Sequence, residues 1–393
     1  MQNKINIGEF IDSYYPIVDG VTLVVHNYAS RMNNDEFTCS VFAPKVAGYD
    51  DKFNYQVYRS SSLSVSNGVY VLSTPKLDAK FTKLIKELPL DVIHAHSPVT
   101  MGNYGADIAK KRHIPSIISF HTKYYEHIKD MFKNETMAKA ALKKLMKIYD
   151  KVDYVWPVSK FAGEIMREYG YTGHFDVVDN GTDMTMYNFK EGERDALNEK
   201  YGLREDIPLL LFVGQIINYK NIKFSLDAVN ILKQRGIKFK YMLIGEGANR
   251  EEIVEYANTL NLNDCVEFRH KIVDRIELSR LYTRADLFVL PSLYETFSLV
   301  QLEAASCGLP SAVLDKTVLA ERISDNVNGF ICENDLNTFA NMMQFAISDK
   351  ENLKRVGKNA QSYVKTFDAV AKEVMMRYKD IIKEYNNKRD NEK

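Results

Sequence analysis

The run Pro291-Ser-Leu-Tyr-Glu-Thr-Phe-Ser-Leu-Val-Gln-Leu-Glu-Ala-Ala-Ser-Cys-Gly-Leu-Pro310 follows directly on the short apolar, β-rich segment Leu287–Leu290. It reads as the passage from a strand, through a brief loop, into a helix that begins near Ser298. Such a helix points its first backbone N–H groups and the positive end of its dipole at the strand end, which makes an anion site. Glu295 and Glu303, with seven residues between them, flank that helix start. As carboxylates they can accept hydrogen bonds from the hydroxyl groups of a sugar or a ribose. A hydrolase pair is the poorer fit. Eight helical steps of about 1.5 Å put the two near 12 Å apart, whereas a retaining glycosidase pair needs about 5–5.5 Å.

The same alternation extends outward in both directions. Strand-like runs are expected at Ile5–Phe10, Thr38–Ala43, Asp91–Ala95, Ser116–Phe120, Tyr154–Pro157 and Phe175–Val178. A second series comprises Leu209–Val213, Tyr241–Ile244, Val266–Phe268, Leu287–Leu290, Ser311–Leu314 and Gly329–Cys332. Helical periodicity fills the intervals, as in Asn221–Gln234 and Arg250–Leu260. Strand–helix alternation predicts parallel sheets covered on both faces, with ligands at the carboxyl ends of the strands. The turn-rich Asp179-Asn-Gly-Thr-Asp183 marks a break. The expected domains are therefore 1–184 and 185–368. Val370, Val374, Tyr378, Ile381 and Tyr385 predict a helix over 369–390 that can pack back on the first of them. At 393 residues the chain suits two such domains, since single cores stop growing at roughly 250–300 residues.

Lysine plus arginine and aspartate plus glutamate both number 52, a balance that argues against a nucleic-acid binder. Cys39, Cys265, Cys307 and Cys332 are scattered with no CxxC pair, which suits free thiols in a reducing cytoplasm. The opening Met1-Gln-Asn-Lys-Ile5 has no apolar signal core, and runs such as Leu209–Val213 are too short to span a bilayer. A cytoplasmic protein is expected, with any membrane contact peripheral, on the inner face.

Taken together, the E-x7-E run, Gly214-Gln-Ile-Ile-Asn-Tyr-Lys-Asn221, Ile244-Gly-Glu-Gly247 and Leu281-Tyr282…Ala285-Asp-Leu287 closely resemble the "glycosyl transferases group 1" class. These are retaining, family 4-like glycosyltransferases of the GT-B fold, two Rossmann-like domains with a cleft between them, and the resemblance spans nearly the whole chain. It implies that Lys220 binds the donor diphosphate, that Glu295 holds donor-sugar hydroxyls and that Glu303 holds the nucleotide ribose. The resemblance also implies that backbone amides around Phe297, Ser298 and Leu299 face the diphosphate, and that Gly245 and Gly247 let the chain pass close to the nucleotide. Gln215 stands where the family usually has arginine, so one fixed charge is missing while hydrogen-bond donors remain.

In the first half, Ile93-His-Ala-His-Ser-Pro98 and Ser119-Phe-His-Thr122 end consecutive strands. His94 and His96 alternate on one face, but no third ligand has recognisable spacing and no DxD is present, so no metal site is expected. By resemblance His121 faces the donor sugar, and Gly20, in Tyr14-Tyr-Pro-Ile-Val-Asp-Gly-Val21, gives the donor phosphate close backbone access. That loop is not the Gly-x-Gly-x-x-Gly of a dehydrogenase. Phe120-His-Thr-Lys-Tyr-Tyr-Glu-His-Ile128 resembles the bacterial diacylglycerol glucosyltransferase branch. Beyond it Ala138, Ala141, Leu142, Leu145 and Ile148 fall at helical spacing, while Lys139, Lys143, Lys147 and Lys151 recur every fourth residue, with Lys144 at the edge. The expected activity is metal-independent transfer of a hexose, glucose from UDP-glucose, to a hydroxyl acceptor such as a diacylglycerol-type lipid. A soluble or polysaccharide-precursor acceptor, or an inactive partner protein of the same fold, are the alternatives.

Overall fold

The computed structural model describes residues 4–65 and 70–391. The first residues of the opening run, 1–3, and the last of the charged tail, 392–393, lie outside the described residues, as do 66–69. The chain forms two units, one made of residues up to Asn180 together with everything from Phe367 onward, the other of Gly181–Thr366.

In the first unit β1 (Ile5–Phe10), β2 (Phe37–Pro44), β3 (Gln56–Ser60), β6 (Val92–Ala95), β7 (Ser116–Phe120) and β8 (Tyr154–Pro157) form one parallel sheet in the order β3-β2-β1-β6-β7-β8. A small antiparallel pair, β4 (Ser62–Val65) and β5 (Tyr70–Ser73), stands apart from it. The second unit repeats the main plan. Its strands β9 (Leu209–Val213), β10 (Lys240–Ile244), β11 (Val266–Arg269), β12 (Leu287–Val289), β13 (Ser311–Leu314) and β14 (Phe330–Cys332) lie in the order β11-β10-β9-β12-β13-β14. Every residue of β9, β12 and β13 is buried, as strands covered on both faces by helices must be.

In each sheet the winding reverses beside the first strand, between β1 and β6 and between β9 and β12. That reversal leaves the loops after the two neighbouring strands facing a common crevice. Both units are doubly wound α/β folds.

Three readings of the sequence are corrected. Residues 175–178 form no strand. They run beside β8 with two backbone hydrogen bonds, Asp176 N to Val155 O at 3.0 Å and Val178 N to Pro157 O at 3.1 Å. The edge strand β3 and the separate pair β4 and β5 have no counterpart among the expected strands. The lysine-bearing helix ends at Met146, so Ile148 and Lys151 lie beyond it. The terminal helix runs Phe367–Asn391 and buries Phe367, Val370, Ala371, Val374, Tyr378 and Ile381. It belongs to the first unit, where Arg31 reaches Asp368 at 2.6 Å and Lys379 reaches Glu36 at 2.8 Å.

Candidate functional site

The reversal in the second sheet brings together two loops far apart in sequence. After β9 the chain passes Gly214 and the exposed Gln215 into the turn Asn218–Lys220. After β12 it runs through Pro291 to Glu295 and reaches Ser298, the N-cap of the helix Leu299–Ser306, whose hydroxyl accepts from Gln301 N at 3.3 Å. Polar bonds zip the loops together: Asn221 Nδ2 donates to Pro291 O at 3.2 Å and Ser292 Oγ to Tyr219 O at 3.2 Å. The Tyr219 and Tyr294 rings meet edge-on, 5.7 Å between centroids. This closeness makes Lys220 and Glu295, 75 positions apart, a direct ion pair, with side chains only 18% and 11% exposed. An ammonium has three donors, so Lys220 can hold Glu295 and still donate to an anion.

Glu303 lies on that helix and is buried. Arg275 Nη2 donates to its Oε1 at 2.7 Å, and the Tyr282 hydroxyl to its Oε2 at 3.2 Å. Burial, then the Glu303 charge, push the Tyr282 phenol well above its usual range, so it remains a donor. A carboxylate offers about four lone-pair sites, which leaves Glu303 able to accept from vicinal hydroxyls. Arg275 carries no signal in the sequence, while Tyr282 lies in the Leu281-Tyr282…Ala285-Asp-Leu287 run, whose pattern does not point to Glu303. Phe297 precedes the N-cap, with the Arg322 guanidinium 4.7 Å from its ring centroid, and Leu299 is the first helical residue.

Gly245 and Gly247 answer first to the protein itself. A Cβ on Gly245 would stand 1.8 Å from Gly214 O, and one on Gly247 2.2 Å from Ile216 O. Only glycine lets the β10 loop pack on the β9 loop so closely.

The first unit has the corresponding arrangement. Gly20 opens the helix Gly20–Arg31, capped by the Asp19 carboxylate, which accepts from Thr22 N at 2.7 Å. His121 follows β7 and stacks on His96, which follows β6, their rings 5.3 Å apart and His96 Nδ1 3.0 Å from His121 Nε2. Burial, reinforced by the neighbouring His96, pushes the His121 imidazole well below its usual pKa, so it is neutral near pH 7.

The missing third member of the His94–His96 cluster is Glu9, placed opposite His94 by the pairing of β1 with β6. Among the described residues these three could in principle hold a cation. Their distances describe hydrogen bonds instead. His96 Nε2 lies 2.5 Å from Glu9 Oε2, and His94 Nδ1 2.6 Å from the Tyr378 hydroxyl. Two ligands sharing one tetrahedral metal would stand roughly 3.3 Å apart.

Comparison with known proteins now bears on this geometry. The sequence profile described as Glycosyl transferases group 1 matches residues 193–363, and that described as Glycosyltransferase Family 4 matches residues 18–185. Together the two matches span most of the chain, and both describe glycosyltransferases. Among its relatives is an alpha-monoglucosyldiacylglycerol synthase of Acholeplasma laidlawii, 25% identical over 98% of this chain and 100% of that protein. The alpha-monoglucosyldiacylglycerol synthase of Streptococcus pneumoniae is 26% identical over 82% of this chain and 74% of its own. Of solved structures, sucrose-phosphate synthase from Thermosynechococcus elongatus superposes with a TM-score of 0.79 at 19% identity, covering 96% of this chain and 99% of that one. Such neighbours establish GT-B architecture for this glycosyltransferase, and the relatives place it beside the diacylglycerol glucosyltransferase branch.

Proposed function

We propose that this glycosyltransferase moves glucose, with retention, from UDP-glucose to the hydroxyl of a diacylglycerol-type membrane lipid, and that no metal ion takes part. The similarity to two alpha-monoglucosyldiacylglycerol synthases, along nearly the full length for that of Acholeplasma laidlawii, carries this reading. Their product is named for an α-linked glucose. UDP-glucose also holds its glucose α-linked, so an α product means retention. In this reading Lys220 and the amides at the start of the Leu299–Ser306 helix take up the charge that grows on the departing diphosphate. Glu295 accepts from donor-sugar hydroxyls, Glu303 from the ribose, and the neutral His121 from the sugar. Lys220 and the helix amides do what a metal clamp does elsewhere.

The test uses the purified full chain, labelled UDP-glucose and vesicles containing diacylglycerol. A labelled monoglucosyl lipid should form, undiminished by EDTA and abolished by Glu295→Ala. Transfer only to a polyprenol diphosphate sugar would move the acceptor assignment. A 21% identical Escherichia coli relative is named for such an acceptor. Loss on EDTA treatment that magnesium or manganese restores would overturn the metal-free chemistry. A chain that releases no UDP with any acceptor would be the inactive partner.

A lipid acceptor requires the enzyme to reach a bilayer, and no helix among the described residues is long and apolar enough to cross one. The helices Tyr124–Phe132 and Glu135–Met146 pack on each other, and around their junction Met131, Phe132 and Met137 are exposed. Lys143, Lys144 and Lys147 are exposed nearby in sequence, while Lys139 pairs with Glu135 at 2.7 Å. Apolar tips set among lysines suit an anionic surface, at about 1 kcal/mol per lysine close to the headgroups. Co-sedimentation with vesicles should therefore rise with anionic lipid, fall with salt, and drop on joint replacement of Lys143, Lys144 and Lys147 by glutamate. Equal binding to neutral and anionic vesicles would remove the charge argument.

A further inference from the structure

The carboxyl ends of three adjacent strands hold a continuous line of polar groups. Glu9 on β1 meets His96 after β6 at 2.5 Å, and His96 meets His121 after β7 at 3.0 Å. Glu9 and His96 are essentially inaccessible to solvent. From the other side Tyr378, on the terminal helix, donates its hydroxyl to Glu9 Oε1 at 3.1 Å, and its oxygen lies 2.6 Å from His94 Nδ1. The other nitrogen of His94 lies 2.8 Å from Ser119 Oγ.

With His96 taken as the neutral imidazole, these contacts fix where the hydrogens sit. A carboxylate only accepts, so the hydrogen between Glu9 and His96 belongs to His96 Nε2. Neutral imidazole has one N–H, which makes His96 Nδ1 an acceptor. His121 must then carry its hydrogen on Nε2 and present a lone pair at Nδ1. The phenol hydrogen is spent on Glu9, so His94 donates from Nδ1 and accepts from Ser119 at Nε2. Burial and the adjacent imidazoles hold His94 well below its usual pKa, in agreement with a neutral ring.

We propose that Glu9, through His96, is a positioning residue that fixes the ring and the tautomer of His121, so that Nδ1 is presented as a hydrogen-bond acceptor for a sugar hydroxyl. Tyr378 closes the line by occupying the second oxygen of Glu9. The assignment rests on the reading of His121 as a residue that touches the donor sugar. A carboxylate behind an imidazole is a general way to select which nitrogen bears the hydrogen. Here the selection passes through one further ring.

Ring-nitrogen NMR of the histidine-labelled full chain reads the tautomers, with signals assigned by single substitutions. His96 and His121 should show Nε2–H and His94 Nδ1–H. His121 as the Nδ1–H form would overturn the proposal. In transfer assays Glu9→Gln should lower kcat by about 10–100-fold with little change in donor KM, in a protein that melts as a folded chain. In a His121→Ala background the same substitution should cost nothing more. An equal loss in both backgrounds means that Glu9 acts on the fold and not through His121. If His121→Ala itself leaves transfer intact, the sugar contact and this proposal both fail, while the transferase assignment, which rests on Lys220 and Glu295, stands.

Discussion

Lys220→Ala is expected to lower kcat/KM for the nucleotide-sugar donor by about 10²–10³, with kcat falling as well as KM rising. The argument begins at the strand order. Because β9 and β12 are neighbours, the turn that carries Lys220 meets the loop that leads into the Leu299–Ser306 helix. A diphosphate at that helix start gains negative charge as its bond to the sugar breaks, so a fixed ammonium matters most in the transition state. The mostly buried ion pair with Glu295 adds a second signature. Removing the lysine alone leaves a carboxylate without its counter-charge and should destabilise the second unit. Removing both partners should return most of that stability and none of the activity. Donor-dependent UDP release and thermal melting of the two variants beside the unaltered chain separate the two effects. A folded Lys220→Ala enzyme with unaltered kcat/KM would falsify the assignment.

Tyr378→Ala should destabilise the first unit by about 3–5 kcal/mol, the range for emptying a large buried aromatic site. The ring is fully buried and stacks on Trp156, 5.7 Å between centroids and 15° between planes. Its loss also takes the phenol away from Glu9 Oε1 and His94 Nδ1 while His96 and Ser119 still hold their other atoms, and an unmet buried polar atom costs about 1–3 kcal/mol. Tyr378→Phe keeps the stack and forfeits only the hydroxyl, so its effect should be the smaller. Trp156 is the only tryptophan of the chain, and it lies in the first unit, so its fluorescence follows that unit alone. In urea the tryptophan transition should move to lower denaturant in both variants. Circular dichroism should retain a component from the second unit that does not move. An unshifted tryptophan transition in Tyr378→Ala would show that the terminal helix is dispensable to this core.

Much of the architecture was legible because fully buried strands such as Leu209–Val213 and Ser311–Leu314 announce themselves as short apolar runs between helical periods. The stretch 56–73 was not, because its serines and tyrosines give neither a sustained apolar run nor an unbroken alternation. Residues 175–178 misled for the opposite reason. Phe175, Val177 and Val178 look like a strand, yet the segment bonds only along part of β8. In the site, motif residues could be named from sequence but their contacts could not. Nothing in spacing joins Lys220 to Glu295, or Glu303 to Arg275, until the strand order does. Glu9 was the least visible. One carboxylate in an apolar strand reads as an ordinary polar alternation, and its partners His96 and Tyr378 lie far along the chain.

The membership of Phe367–Asn391 in the first unit has a consequence for how the chain comes off the ribosome. The half that holds His121 is begun first and finished last. Translation at about 5–20 residues per second spends some 10–40 s on Gly181–Thr366 while Glu9 and His94 wait for the phenol that will cover them. At the end of that interval the second unit has all of its sequence and can close, whereas the first unit still stands open along the helix Gly20–Arg31. A nascent chain that stalls before Tyr378 therefore presents one finished domain and one unfinished one. The unfinished one is where chaperones and proteases will find their grip.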